Sequence, residues 1–349
     1  MIVISTLFLI LGNGFTIDLI KYLDNKKDSG VDVINLFKYG ADIKWPANNK
    51  SGFLSYQNCP HLWSLGVRPD IDSDKGISII EDVVTCANAI ENAILNKPAS
   101  RKIPYTAIPD RVGDIYKYAY LELSYYLRYL FIHYHDILKI DMGIISNWKW
   151  AKYFVEVTKN GKYDNIIFVT YNYDIWLEQV LGCFGIGYQI AEIEKNNPSK
   201  VIILKPHGSI SFYDKRKIAA GMNNLKNRFD SPSIANIGIR YTDLEKPSLT
   251  NIIIPPAGES GKLSKGWAKT LRDRAVELAR NLKADDDVVL CELSYWQVDR
   301  TEIDEILTSF DPKVNVRMFN PQIPQRLNAV LTSLFDNYVC FTNTDTLEG

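Results

Sequence analysis

The sequence has no paired cysteines. Its five, Cys59, Cys86, Cys183, Cys291 and Cys340, are scattered, and no CxxC occurs. That pattern excludes a cysteine-built zinc module and a disulfide framework, and it fits reduced thiols in a cytoplasmic protein. An excess of charge is also missing: 40 basic residues stand against 41 acidic ones, for a net charge of −1. A broad nucleic-acid or membrane footprint is therefore not expected. No apolar run reaches the roughly 20 residues of a membrane span. The apolar segment 1–11 has no basic region and runs into a glycine turn, so it reads as a strand rather than a signal peptide. Walker A, HExxH, EF-hand and GxSxG patterns are absent. Histidine is scarce, with four in 349 residues. His133 and His135 stand at i and i+2 of a predicted helix, point to different sides and cannot share an ion. No metal is expected.

What the chain does have is a series of short, mostly apolar segments that read as strands. They cover 7–11, 166–169, 201–204, 252–254, 287–291 and 314–318, and 339–342 fits an edge strand. Helical patterns over 15–23, 175–181, 267–282, 301–310 and 324–335 alternate with them. At least five alternations of strand and helix predict an α/β fold: a doubly wound, mostly parallel, Rossmann-like sheet in one domain over 1–349. The region from about 25 to 159 reads as a helical insertion between the first two sheet strands, with helices at 79–95, 111–140 and 148–157. In the second of these, Tyr116, Tyr118, Tyr120, Tyr125, Tyr126, Tyr129 and Tyr134 make the surface apolar nearly all round. Such a helix is predicted to be buried, here against another subunit or a partner. The polar stretch 214–250 reads as an irregular, mobile excursion.

Nearly every predicted strand ends in glycine or a polar residue. The strand-end groups are Gly12-Asn13-Gly14, Asn172 with Asp174, His207-Gly208, Ser294 and Asn320. A parallel sheet presents such ends along one edge, where open α/β folds bind ligands, so these turns are expected to converge on one cleft. A strand, a glycine turn and a helix can aim backbone N–H groups at a phosphate, although the full GxGxxG is absent and a tight turn also needs glycine. Asp174 and Asn172 read equally as a helix cap and turn former or as ligand groups. His207 is the one histidine in a strand-end turn. Gly208 beside it is expected to let a ligand approach the backbone, and His207 reads as a functional group rather than a structural one.

The order of these blocks, ILGNGF, FVTYNYD, LKPHGS, the turn over 290–299 and Phe319-Asn320, resembles the sirtuin fold family. Within it the chain is most similar to prokaryotic sirtuin-like NAD-cleaving effectors of anti-phage defence. The resemblance implies a sirtuin-type NAD-binding domain in which Gly12, Asn13 and Gly14 cradle the pyrophosphate. Asn172 would hold the nicotinamide ribose or the attacking water, Asp174 would shape the nicotinamide end, and His207 would act as base. Ser294 and Asn320 would contact the adenosine half. The implied activity is an NAD+ hydrolase that releases nicotinamide and ADP-ribose and depletes NAD in abortive infection. Alternatives are a regulatory module that binds NAD or ADP-ribose without turnover, and an ADP-ribosyltransferase. Implied partners are further copies of the chain, or a second defence protein such as an ATPase or sensor. Protein deacylases of the family carry a four-cysteine zinc module, a GAG start and a PDFR loop. This chain has none of them, and Cys291-Glu292-Leu293-Ser294 lacks a glycine before the serine.

Overall fold

Alternate residues of a strand face opposite sides of a sheet, and the central strand here is apolar on both. In the computed structural model β1 (Thr6–Leu11) sends Leu7, Leu9 and Leu11 into one core and Phe8 and Ile10 into another. The structure describes residues 5–23, 30–95, 114–195, 198–216, 232–248, 250–256, 266–295 and 300–347, without the side chains of 91–95 and 114.

After β1 come α1 (Asn13–Leu23), α2 (Pro60–Ser64), α3 (Ser73–Leu95), α4 (Asp114–Ile137), α5 (Met142–Ile145) and α6 (Lys149–Lys159). Then follow β2 (Asn165–Thr170), α7 (Trp176–Cys183), β3 (Gln189–Ile190), β4 (Val201–Leu204), β5 (Phe212–Asp214) and β6 (Ile237–Ile239). The chain closes with α8 (Gly266–Arg280), β7 (Asp287–Cys291), α9 (Arg300–Leu307), β8 (Asn315–Phe319), α10 (Gln325–Leu334) and β9 (Asn337–Phe341). Seven strands form one parallel sheet in the order β3-β4-β2-β1-β7-β8-β9. From β1 the connections lead to β2 and β4 on one side; from β7 they lead to β8 and β9 on the other. The order therefore reverses between β1 and β7, and a crevice opens at their carboxyl ends. Helices α1, α4, α6 and α7 pack on one face and α9 and α10 on the other, while α8 joins the two: Trp267, Ala268 and Leu271 lie in the first core and Ala275, Val276 and Ala279 in the second. The expected doubly wound α/β architecture is what the chain adopts. Among the described residues no helix is long and apolar enough to cross a membrane.

Two expectations about elements are corrected. Tyr120, Tyr125, Tyr126, Tyr129 and Tyr134 of α4 are buried within this one chain. Phe37 stacks on Tyr126, Phe53 packs on Tyr126 and Tyr129, and Tyr39 meets Tyr134 edge-on. Arg128 of the same helix, buried among them, donates to the carbonyls of Phe212 and Leu244. The segment ahead of α2, irregular in sequence, is the cover that α4 needed, so its apolar surface requires no partner. Residues 252–254 are not a sheet strand either. Ile253 makes a single antiparallel bridge to Gly208, while β5 and β6 form a separate antiparallel pair, with β6 inside the supposed excursion and β5 at its start. The predicted start of the tyrosine helix at Arg111 lies outside the described residues.

Candidate active site

The sheet register lines up the strand ends. Leu11 pairs with Thr170 on one side and Cys291 on the other, and Cys291 pairs with Phe319. The next residues, Gly12, Tyr171, Glu292 and Asn320, therefore start their turns in one row, with neighbours roughly 5 Å apart. Gly12 N donates to Cys291 O at 2.9 Å and Glu292 N to Phe319 O at 2.8 Å, which carries the ladder one residue beyond the strands.

Asn172 ties the first two turns together. Its Nδ2 donates to Gly12 O and to Thr16 Oγ1, both at 3.0 Å. Thr16 Oγ1 donates to Asp174 Oδ2 at 2.7 Å, and Asp174 Oδ1 accepts from Trp176 N at 3.0 Å. Asp174 thus satisfies an N–H at the start of α7 and also reaches α1. It and Thr16 are buried, where a bond to a charged group contributes about 1.5–3 kcal/mol. Lys205, at the end of β4, donates to Asp174 O and pairs with Glu178 Oε1 at 2.8 Å. Both members of that pair are buried. Burial pushes the Glu178 carboxyl up, and Lys205 beside it pulls it back.

His207 belongs to a second network. Its Nε2 lies 3.1 Å from Glu302 Oε2, and Glu302 Oε1 accepts from Arg272 Nη1 at 2.9 Å. His207 is 2% exposed, and its ring meets Tyr171 edge-on at 4.9 Å. A carboxylate facing Nε2 accepts a hydrogen bond from the N–H of that nitrogen, which puts the ring lone pair of the neutral tautomer on Nδ1. Arg272 is on α8, which reaches both cores, and Glu302 on α9, which covers one face of the sheet, whereas Asn172 is bonded to α1 on the other. The structure brings Asn172, Asp174 and the glycine turn together and anchors His207 from the opposite side of the sheet.

The space beside the glycines is taken by Glu292. A Cβ built on Gly14 would overlap the Cβ and Oε2 of Glu292, and one on Gly12 would overlap its carbonyl oxygen. Glu292 has a left-handed backbone, φ +47°, which turns it back over the crevice. Burial, then Asp18, raises its carboxyl to about 7, against the opposing pull of Lys21. Gly208 is filled in the same way. A Cβ there would overlap Ile252 O, and Ile254 N donates to His207 O at 3.0 Å. The close approach expected of a ligand at Gly208 is made by the chain itself.

The remaining predicted residues are placed as follows. Asn13 is exposed, and its Nδ2 donates to Val33 O at 3.3 Å. Ser294 is exposed. Asn320 is buried, with Nδ2 on Leu293 O at 2.9 Å and Oδ1 accepting from Gln322 N, so its amide braces the turn after β7. Trp296 and Asp299 of that turn lie outside the described residues. A cavity of about 10 Å³, room for one water, is lined by Cys59, Glu122 and Tyr125 among others, none of them a residue of these turns. Thr16, Glu292, Glu302 and Arg272 were not singled out from sequence. Thr16 stands two residues after Gly14, and Glu292 directly follows a strand, which are usable signals. Glu302 and Arg272 sit on separate helices and carry none. Comparison with protein-family models and with curated proteins finds no match for this chain.

Proposed function

We propose that the chain binds NAD across the crevice between β1 and β7 and hydrolyses its N-glycosidic bond. The observation that carries this reading is the Asn172 amide fixed on Gly12 O and Thr16 Oγ1, at the N-terminus of α1 and at the point where the strand order reverses. That terminus supplies backbone N–H groups for phosphate. In the reaction, the C1′–N bond breaks with its electron pair staying on nitrogen, so nicotinamide leaves neutral. A water oxygen bonds to C1′, and its proton passes to a base, the role assigned to His207 Nδ1, with Glu302 holding the ring. Positioning and a base of near-neutral strength are the requirements of such chemistry.

A second reading, a module that binds NAD or ADP-ribose without turnover, draws support from the burial of His207 and from Glu292 lying on the glycine turn. Incubating the purified chain with NAD separates the readings. Free nicotinamide with ADP-ribose means hydrolysis, labelled protein means transfer, and unchanged but bound NAD means a binding module. Asn172→Ala should remove cleavage while the protein stays folded. His207→Ala should cost on the order of a hundred- to ten-thousand-fold in rate. Wild-type turnover in folded Asn172→Ala would overturn the role of Asn172. A part in anti-phage defence, in the cytoplasm, as a homo-oligomer or with an ATPase or sensor, is supported by the family resemblance alone. Phage challenge of cells carrying the wild-type chain or Asn172→Ala tests it.

A further inference from the structure

We infer that Glu292 is a built-in block of the phosphate cradle: its side chain lies where a dinucleotide pyrophosphate must sit on Gly12 and Gly14, and it must swing out before the site can load. The inference rests on the NAD-site reading and adds a resting, self-occluded state to it.

Three observations converge on Glu292. The first is steric. Glycine at Gly14 leaves its Cα bare on the side of the crevice, yet that space holds the Cβ and Oε2 of Glu292 rather than solvent. A phosphate approaching the N-terminus of α1 from the crevice meets this side chain first. The second is electrostatic. When ionised, Glu292 carries charge of the same sign as a phosphate, and both would stand at the N-terminus of α1. The two are therefore competitors for one position, and like charges that close repel. The third concerns how the side chain is held. Among the described residues no hydrogen bond or ion pair reaches the Glu292 carboxylate, although its backbone is fixed by Phe319 O at 2.8 Å. Packing and the pull of Lys21 keep it there rather than a hydrogen bond, so rotation about the side-chain bonds clears the crevice without breaking the sheet.

The residue's place in the chain makes this a device of the turn after β7. Asn320 braces that turn through Leu293 O at 2.9 Å, the residue next to Glu292. Anything that bears on the ends of β7 or β8 therefore bears on the side chain that covers the glycines.

The test is binding by calorimetry to wild-type chain, Glu292→Ala and Glu292→Gln, with two probes that cannot be cleaved at a glycosidic bond to nicotinamide: ADP-ribose and inorganic pyrophosphate. Glu292→Gln keeps the bulk and removes the charge; Glu292→Ala removes both. The expected result is tighter binding of both probes in the order Ala, Gln, wild type, with Glu292→Ala at least about ten-fold above wild type. If Glu292→Ala gains pyrophosphate while no form takes ADP-ribose, the block stands and the NAD reading falls. If all three forms bind ADP-ribose alike, the NAD reading stands and the block is overturned. Binding of neither probe by any form overturns both. Melting curves of the three forms establish that each is folded.

Discussion

Burial holds the carboxyl of Glu292 at about 7, with Asp18 adding to the effect. The unfolded chain has it near 4.3. A carboxyl raised on folding binds its proton more tightly in the native state. Its contribution to stability is present below about pH 4 and is lost as pH rises through 7. Glu292→Gln should leave the melting temperature nearly unchanged at pH 4.5 and raise it at pH 8. The gain at pH 8 should be on the order of 1–2 kcal/mol after discounting the water-exposed part of the group. Melting curves at the two pH values check this, and equal shifts at both would show that Glu292 stays ionised. Asp174 is a different kind of residue. Its oxygens accept from Thr16 and Trp176 N, so it has partners in the fold whatever ligand approaches. The sequence offered a cap and a ligand group for it as alternatives. In the fold Oδ1 takes the Trp176 N–H at the start of α7, and Oδ2 takes the Thr16 hydroxyl.

The turn after β4 shows what a glycine requires when the chain itself comes close. Gly208 has φ +85°, and a Cβ there would overlap the carbonyl oxygen of Ile252. Gly161 has φ +72° with nothing within 4 Å. Gly161→Ala should cost only the backbone strain, about 1 kcal/mol, while Gly208→Ala should cost on the order of 2–4 kcal/mol. Urea titrations of the two variants measure the difference, and similar costs would mean that Ile252 moves aside freely. Elements of this kind explain what was legible beforehand. β1, β2, β4 and β7 were read within a residue of their bounds, because strands buried on both faces are continuous apolar runs. The segment 252–254 has the same composition and is not a strand of the sheet, since pairing is decided by which backbone lies alongside. The tyrosine helix was read correctly as buried and wrongly as buried by a partner. Its cover, Phe37, Tyr39 and Phe53, lies in a stretch with no periodicity to read. The same limit applies to His207: its position after a strand was visible, but Glu302 and Arg272 come from helices whose meeting only the fold determines.

At the scale of the whole molecule, the crevice is made by strands remote in sequence. Thr6 N donates to Asp286 Oδ1, 280 positions further on, and β7 pairs with β1 along its length. The site between them belongs to neither half of the chain. During synthesis, at roughly 5–20 residues per second, β1 waits on the order of 15–55 s for β7 to follow it. In that interval one edge of the central strand has no neighbour to pair with, and the glycine turn lacks the Cys291 carbonyl that fixes Gly12 N. Contacts this distant also fold slowly. Arrested nascent chains ending before residue 287 should therefore be cut by protease at β1, whereas chains with β7 and β8 clear of the ribosome should resist; resistance of the shorter chains would mean that β2 alone secures β1. The residue that fixes the glycine turn, Cys291, and the residue that covers it, Glu292, are neighbours in sequence and leave the ribosome together. Under the proposed function, the lock is delivered with the last piece of the door, and no stage of synthesis offers the cell's NAD a site that is both finished and open.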